Sequence, residues 1–167
     1  MIAEEDFSSG RVLRLEGSWQ PPIRNLSLAV LTGGLMALAF PIWEVWVLGW
    51  VALAPLLFAV ARERRAWRAF GLGLVSGTLF FFSSCWWITY PPVHYAGFWW
   101  SVAFVLAVVP CAISGLFFGL FAVLLYGLVR RFGPHALLTA PFVWVGCEWL
   151  RMALMGKHER MSAERAY

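Results

Sequence analysis

Residues 61–68 read ARERRAWR and place four arginines in a short polar break between two long apolar runs. An arginine at the centre of a bilayer costs about 2.5 to 3.5 kcal/mol on insertion scales, which excludes this break from the hydrocarbon. Short loops rich in Lys and Arg remain on the cytoplasmic side of a membrane. The break therefore predicts a cytoplasmic loop and sets the direction of the apolar runs on either side of it.

The chain is far more apolar than an ordinary soluble domain. Of its 167 residues, 61% are hydrophobic and 13% are charged, against about 45–50% and about 25% in typical globular proteins. The hydrophobic residues lie in long blocks, which predicts an all-α, polytopic helical membrane bundle. The net charge of +4 comes from basic residues in loops and tails. Nucleic-acid binding requires basic residues concentrated on one face, so no nucleic-acid partner is expected.

Apolar runs on both sides of the break predict about five transmembrane helices. Their expected bounds are residues 26–40, 45–61, 69–90, 101–129 and 136–154. Residues 1–25 are expected to form a flexible cytoplasmic tail. Residues 155–167 are expected to form a polar tail that departs from the apolar pattern.

Two pairs of glycines lie within the predicted helices. Gly73 with Gly77, and Gly115 with Gly119, have the four-residue spacing that lets membrane helices approach each other closely. For the first pair the sequence leaves two uses open, packing within the bundle and a self-dimer face, and the second pair is expected to serve close packing.

The distribution of basic residues predicts the orientation. With residues 1–24 and the break inside, the inner regions hold nine arginines, and the two outer loops hold no Lys or Arg. Because basic residues favour the cytoplasmic side, the amino terminus is predicted to be cytoplasmic. The carboxyl-terminal tail is then outside, and its basic residues Lys157, Arg160 and Arg165 do not fit the preference of Lys and Arg for the cytoplasmic side.

The last apolar run carries two ionisable residues, Glu148 and Arg151, with Trp149 between them. The two are three residues apart, so their side chains share one helix face and can pair. Such a pair can be structural, with Arg151 reaching outward to neutralise Glu148. It can equally be a polar contact for a lipid or its headgroup, because ionisable residues inside a membrane default to functional candidates. Both interpretations stay open, and Trp149 is included in the same contact candidate.

Aromatic residues form a second candidate surface around the predicted outer loop 91–97. Trp86, Trp87, Tyr90 and His94 lie on one side of this loop or within it, and further rings follow. Trp and Tyr favour the headgroup level, so the simplest interpretation is an interfacial belt. The alternative is a lateral opening for lipid acyl chains.

No catalytic residue, metal site or cofactor is predicted from the residues themselves. Cys147 adjoins Glu148, but neighbouring helical residues point about 100° apart, and a thiol in apolar surroundings is unreactive. The histidines, His94, His135 and His158, are scattered along the chain without the spacing of metal ligands.

Five groups of short motifs follow one another between residues 26 and 151. They are LAFP at 38–41, GWVALAPLL at 49–57, RAFGLG at 68–73 leading to Gly77, WWI at 86–88 before His94 and Gly97, and PFVW at 141–144 before EWLR at 148–151. In this order and spacing, the chain resembles the amino-terminal membrane region of the bacterial apolipoprotein N-acyltransferase family.

The resemblance implies an enzyme of lipoprotein maturation in the bacterial inner (cytoplasmic) membrane. The family transfers an acyl chain from a membrane phospholipid to the amino-terminal cysteine of an apolipoprotein. Its Glu-Lys-Cys triad lies in a nitrilase-like domain on the outer face, and no such triad can be mapped on this chain. We therefore expect a truncated membrane domain that is inactive alone. Its expected partners are membrane phospholipid and a separately encoded catalytic half or an apolipoprotein.

Two other functions compete with this interpretation. The first is a small membrane scaffold or lipid-binding protein without catalysis. The second is a small transporter, against which stand the lack of charged residues within the first four runs and the lack of an internal repeat.

Overall fold

The structure, a computed structural model, describes residues 22–39, 45 and 47–155. Most of the predicted amino-terminal tail, the first turn at 41–44 and the tail from 156 onward lie outside these residues. The helices are α1 (Pro22–Ala39), α2 (Leu48–Val51), α3 (Ala54–Arg62), α4 (Ala66–Ser84), α5 (Tyr90–His94), α6 (Trp100–Phe132) and α7 (Ala140–Met155). Short 3-10 turns at Trp86–Thr89 and Pro134–Thr139 precede α5 and α7. The described ranges contain no strand, and the predicted all-α, membrane-type fold is confirmed.

Two of the described helical segments are long and apolar enough to cross a bilayer. These are α6, with 33 residues, and the segment Pro134–Met155, with 22 residues. The pair Ala66–Ser84 and Trp86–His94 qualifies together but bends by 69°, as a broken span or a re-entrant loop. By length and composition, the described residues thus supply two spans, or three if the bent pair is one span. The number of five spans stays a prediction.

Two of the expected helices are interrupted. The run 45–61 contains α2 and α3 with a turn between them, because Pro55 lies in the first turn of α3, where its missing N–H is tolerated. The run 69–90 ends as a helix at Ser84, where Cys85 leaves helical geometry and the chain bends. The expected loop after residue 90 begins instead with the short helix α5, whose first turn contains proline.

The close packing of α4 against α6 forms the centre of the bundle. A Cβ atom added at Gly77 would lie 2.7 Å from the ring of Phe118, and one at Gly115 would lie 2.9 Å from a backbone nitrogen of α4. Gly73 and Gly119 are equally crowded by the facing helix. Both glycine pairs therefore serve packing within the bundle, which for the first pair is the first of the two uses that the sequence left open.

Helix α1 packs on the other side of α4. The hydroxyl of Ser76 in α4 donates a hydrogen bond of 2.7 Å to the backbone carbonyl of Ala29 in α1, and both residues are buried. Gly33 of α1 lies against the backbone of α4, because an added Cβ atom would be 2.8 Å from the Ser76 carbonyl oxygen. A small residue and a hydroxyl thus let the two helices approach each other closely.

The arginine break is held to α1 and α6 by polar contacts around Glu63. This residue is 7% exposed, and its carboxylate accepts a hydrogen bond of 2.6 Å from Nδ2 of Asn25 in α1. The guanidinium of Arg130 in α6 donates to the Glu63 carbonyl oxygen at 2.8 Å. The hydroxyl of Tyr126 donates to the Arg64 carbonyl oxygen at 2.8 Å. We call these five residues the break cluster, and the end of the bundle that contains them the break end.

The break cluster generates the first prediction, on Asn25→Leu. This substitution leaves a buried carboxyl oxygen of Glu63 without its donor, which should lower the free energy of unfolding by about 1–3 kcal/mol. Thermal unfolding in detergent measures the change. The control is Ser27→Ala in the same helix, because the Ser27 hydroxyl is exposed and donates only to the Arg24 carbonyl oxygen.

A second variant separates the hydrogen bond from simple packing. Replacing both partners, Asn25→Leu with Glu63→Met, removes the donor and the acceptor together and should recover part of the lost stability. If Asn25→Leu is as stable as Ser27→Ala, the Asn25–Glu63 contact does not stabilise the break end.

Candidate functional site

The seven residues singled out by the sequence lie on two neighbouring parts of the bundle, both at the end opposite the break end. Glu148, Trp149 and Arg151 are on α7. The other four lie on the bent segment after α4, and we call them the aromatic rim: Trp86, Trp87, Tyr90 and His94. The last turns of α4 lie between the two groups, because Phe81 contacts Arg151 and Phe82 contacts Trp86.

Glu148 and Arg151 form an ion pair within α7. Nε of Arg151 donates to both carboxylate oxygens of Glu148 at 3.1 Å, and a terminal guanidinium nitrogen donates to the same carboxylate. The side chains are partly exposed, with 25% of Arg151 and 37% of Glu148 accessible. The pair is therefore partly accessible from outside the bundle.

Arg151 also connects α7 to α4. Its guanidinium carbon lies 5.5 Å from the centre of the Phe81 ring, within the range of a cation–π contact. Trp149, by contrast, points away from this contact and is 71% exposed. The helix thus presents two different surfaces here, a paired charge against α4 and a bare indole toward the surroundings.

The aromatic rim is ordered by contacts within the bent segment. The rings of Tyr90 and His94 stack with their centres 3.7 Å apart, and Nδ1 of His94 lies 3.1 Å from the Tyr90 carbonyl oxygen. The buried Thr89 hydroxyl donates to the Trp86 carbonyl oxygen at 2.8 Å and supports the 3-10 turn. These contacts fix the backbone of a segment that contains no long helix.

The two tryptophans of the rim are largely exposed. Trp86 is 53% exposed and Trp87 is 66% exposed. Trp86 contacts the edge of Phe82, with 5.4 Å between the ring centres, and Phe82 in turn contacts Phe104 of α6 at 5.3 Å. Exposed indoles next to a bend suit either an interfacial belt or a surface on which acyl chains lie, and both interpretations of the rim stay open.

Three polar contacts and one groove were not predicted from the sequence. The contacts of Glu63 with Asn25, of Arg130 with Glu63 and of Ser76 with Ala29 join residues far apart in the chain. For the two contacts of Glu63, the only local signal in the sequence was the position of this carboxylate among the four arginines of the break. The groove lies between α6 and α7 and is lined by Gly127 and Gly146. These two glycines were its signal in the sequence, because neither has a second glycine four residues away and so neither belongs to a close-packing pair.

Metal chemistry finds no support at either part of the site. Across residues 22–39, 45 and 47–155, no three His, Cys, Asp or Glu side chains come together in a way that could hold a metal ion. Cys147 is buried in the wall of the groove and does not face Glu148.

The second prediction concerns the mutual dependence of Glu148 and Arg151. Arg151→Leu should lower the free energy of unfolding by about 1–3 kcal/mol, because Glu148 loses its donors and Phe81 loses its cation. Glu148→Gln should cost less, because a Gln carbonyl oxygen can still accept a hydrogen bond from the guanidinium. Thermal unfolding of both variants and of the double variant in detergent measures the coupling.

The double variant decides between pairing and independence. If the pair is coupled, Glu148→Gln with Arg151→Leu should destabilise less than the sum of the single changes. Phe142→Leu, on an exposed position of the same helix, is the control for nonspecific effects. Strictly additive changes would mean that the two side chains do not stabilise each other.

Comparison with known proteins places this arrangement in a family. Residues 32–159 match the family model described as Apolipoprotein N-acyltransferase N-terminal domain. This match includes the last eight residues of α1, the arginine break, the aromatic rim and the Glu148–Arg151 pair.

Similar full-length proteins carry the name apolipoprotein N-acyltransferase. One from Geobacter metallireducens is 35% identical over 148 residues, which cover 87% of this chain and 27% of that protein. Others are from Chlorobaculum tepidum, 31% identical with 75% and 22% covered, and from Gloeobacter violaceus, 36% identical with 77% and 25% covered. The chain spans about a quarter of the length of these relatives, and it belongs to the apolipoprotein N-acyltransferase family through that family's amino-terminal domain.

Proposed function

We propose that this chain supplies the membrane part of an apolipoprotein N-acyltransferase, which transfers an acyl chain from a membrane phospholipid to an apolipoprotein. The match of residues 32–159 to the amino-terminal domain of that family carries the proposal. The arrangement of the bundle supports it, because the partly exposed Glu148–Arg151 pair and the aromatic rim lie at one end. A charged pair beside exposed indoles suits the approach of an amphipathic lipid.

The proposed location is the bacterial inner membrane, with the amino terminus in the cytoplasm. The excess of arginine in the inner regions supports this orientation. The break cluster supports it further, because the start of α1, the arginine break and the end of α6 meet at one end of the bundle. The aromatic rim then lies at the outer face of the membrane.

The outer end of α7 is proposed to contact the donor lipid or the catalytic part of the enzyme. Arg151 is already bonded to Glu148 and stacked near Phe81, so its remaining donors are held in a fixed direction. A headgroup phosphate or a carboxylate from another polypeptide could accept a hydrogen bond there. Trp149 offers an apolar surface next to this position.

Catalysis is proposed to require groups that residues 1–167 do not contain. The family's triad needs Glu, Lys and Cys in a soluble domain, whereas Cys85, Cys111 and Cys147 lie in or beside apolar helices. The proposed partner is therefore a catalytic part, encoded with this chain or separately, that meets the bundle at the rim end.

A scaffold or lipid-binding role without catalysis is the second candidate function. It is favoured by the apolar groove between α6 and α7, which the acyl transfer proposal does not use. Restored acyl transfer in a chimeric enzyme separates the two functions, because a scaffold unrelated to the reaction could not support it.

The third prediction concerns acyl transfer to a diacylated lipopeptide, with phospholipid as donor. The purified chain of 167 residues should give no triacylated product above a protein-free control. A chimera in which residues 1–151 replace the corresponding region of the Geobacter metallireducens relative should give product, because both halves of the enzyme are then present.

Two further measurements sharpen this test. The same chimera with Arg151→Leu should lose most of its activity, and the chimera with Phe142→Leu should keep it. An inactive chimera that is folded and inserted in the membrane, or product from the 167-residue chain alone, would contradict the proposed division of labour.

A further inference from the structure

An apolar groove runs between α6 and α7, from Arg131 at the break end to Leu150, the residue next to Arg151 of the Glu148–Arg151 pair. This open groove has a volume of about 650 Å³, within the range of about 300–1,000 Å³ that is typical of ligand sites. Its walls are almost entirely apolar, with one charged residue, Arg131. The walls are formed on the two helices by Leu124, Gly127, Leu128, Gly146, Cys147 and Leu150.

Two glycines on facing helices create the width of the groove. A Cβ atom added at Gly127 in α6 or at Gly146 in α7 would meet no heavy atom within 4 Å. This is the opposite of Gly77 and Gly115, where the facing helix fills the same space. The missing side chains at Gly127 and Gly146 therefore leave room that the bundle itself does not occupy.

The groove has the length of a lipid acyl chain in one leaflet. Its α6 wall runs from Leu120 to Arg131, which is about 17 Å at a rise of about 1.5 Å per residue. The hydrocarbon core of a bilayer is about 30 Å thick, so one leaflet measures about 15 Å. An acyl chain that enters at Arg131 would end near Leu120, at the middle of the membrane.

Arg131 is the charged residue at the mouth of the groove. The described residues contain two carboxylates, and both have partners, since Glu63 accepts from Asn25 and Glu148 pairs with Arg151. Arg131 is exposed and lies 5.7 Å from the neighbouring Phe132 ring, with no carboxylate bonded to it in the described part of the chain. Its guanidinium is therefore positioned to bind an anion at the membrane surface.

The neighbouring arginine has a different role. Arg130 donates to the Glu63 carbonyl oxygen and lies 5.4 Å from the Tyr126 ring, so it belongs to the break cluster. Of the two arginines at the end of α6, Arg130 thus makes a structural contact and Arg131 lines the groove. Basic residues beside pockets between membrane helices are typical of sites for anionic lipid headgroups.

We propose that the groove between α6 and α7 binds one anionic phospholipid, with an acyl chain along Gly127 and Gly146 and the phosphate at Arg131. This lipid differs from the acyl donor of the proposed function in the position of its headgroup, which is at Arg131 in the break end, whereas the proposed donor surface lies at the rim end. The site does not depend on acyl transfer and is present in the chain by itself. Its role is to fill the space between α6 and α7 and to hold α7 in position.

Photo-crosslinking with the full chain tests the site. The probe is phosphatidylglycerol with a diazirine in its acyl chain, added to phosphatidylcholine nanodiscs, and mass spectrometry maps the labelled peptides. We expect labelling concentrated on residues 120–128 and 143–150. Unlabelled phosphatidylglycerol should compete for it, and unlabelled phosphatidylcholine should not.

Matched substitutions test the geometry. Gly127→Leu and Gly146→Leu should each reduce the labelling at least fivefold, because the new side chain fills the groove. Gly34→Leu and Gly71→Leu are the controls, since a Cβ atom there also meets nothing within 4 Å but lies outside the groove. Circular dichroism and thermal unfolding confirm that each variant is folded, and Gly127→Ala and Gly146→Ala serve if a leucine variant is not.

Substitution of the charge tests the headgroup. Arg131→Gln should weaken competition by phosphatidylglycerol about fivefold, the factor that corresponds to about 1 kcal/mol for one basic residue near an anionic surface. Arg68→Gln, at the break but away from the groove, should leave competition unchanged.

Three results would overturn the proposal. One is labelling spread evenly over the lipid-facing surface or unaffected by the leucine variants. Another is equal competition by the two lipids. The third is the loss of groove labelling in the chimera with the Geobacter metallireducens relative, because a polypeptide would then occupy the groove.

Discussion

The hydrogen bond from Asn25 to the buried carboxylate of Glu63 is the contact on which the arrangement of the bundle depends. Four arginines keep the break at a membrane surface, but they do not determine which helix ends meet there. Glu63 brings these helix ends together, because its carboxylate accepts a hydrogen bond from Asn25 at the start of α1 and its backbone carbonyl accepts one from Arg130 at the end of α6. With these ends fixed, α4 begins at the break, packs between α1 and α6, and ends next to the rim at the opposite end of the bundle.

The glycine pairs position the candidate site within that arrangement. Close contact of α4 and α6 at Gly77 and Gly115 holds the last turns of α4 at the rim end of the bundle. Phe81 then meets Arg151 of α7, and Phe82 meets Trp86 of the rim. In our proposals, the break end binds one lipid and the rim end presents groups for acyl transfer. This proposed division of the bundle depends on which helices lie close and which leave a groove.

Those features whose signal is local could be predicted from sequence. The long apolar run of α6 and the three-residue spacing of Glu148 and Arg151 correspond to the helix and the ion pair of the structure. The bend after Ser84 could not be predicted, because the hydropathy of the run continues unchanged through the aromatic residues that follow. Nor could the Asn25–Glu63 bond, because two polar residues 38 positions apart carry no periodicity that pairs them. The groove was missed because an isolated glycine indicates space only when the facing helix is known.

The most direct measurement is labelling from outside the cell at two exposed alanines, Ala66 in the first turn of α4 and Ala96 beyond the rim. Each is replaced by Cys in a chain whose Cys85, Cys111 and Cys147 are Ala, and a membrane-impermeant maleimide is added to intact spheroplasts. The account predicts labelling of Ala96→Cys in intact spheroplasts and of Ala66→Cys only after lysis. Labelling of Ala66→Cys in intact spheroplasts, with Ala96→Cys protected, would contradict the placement of the arginine break at the cytoplasmic surface.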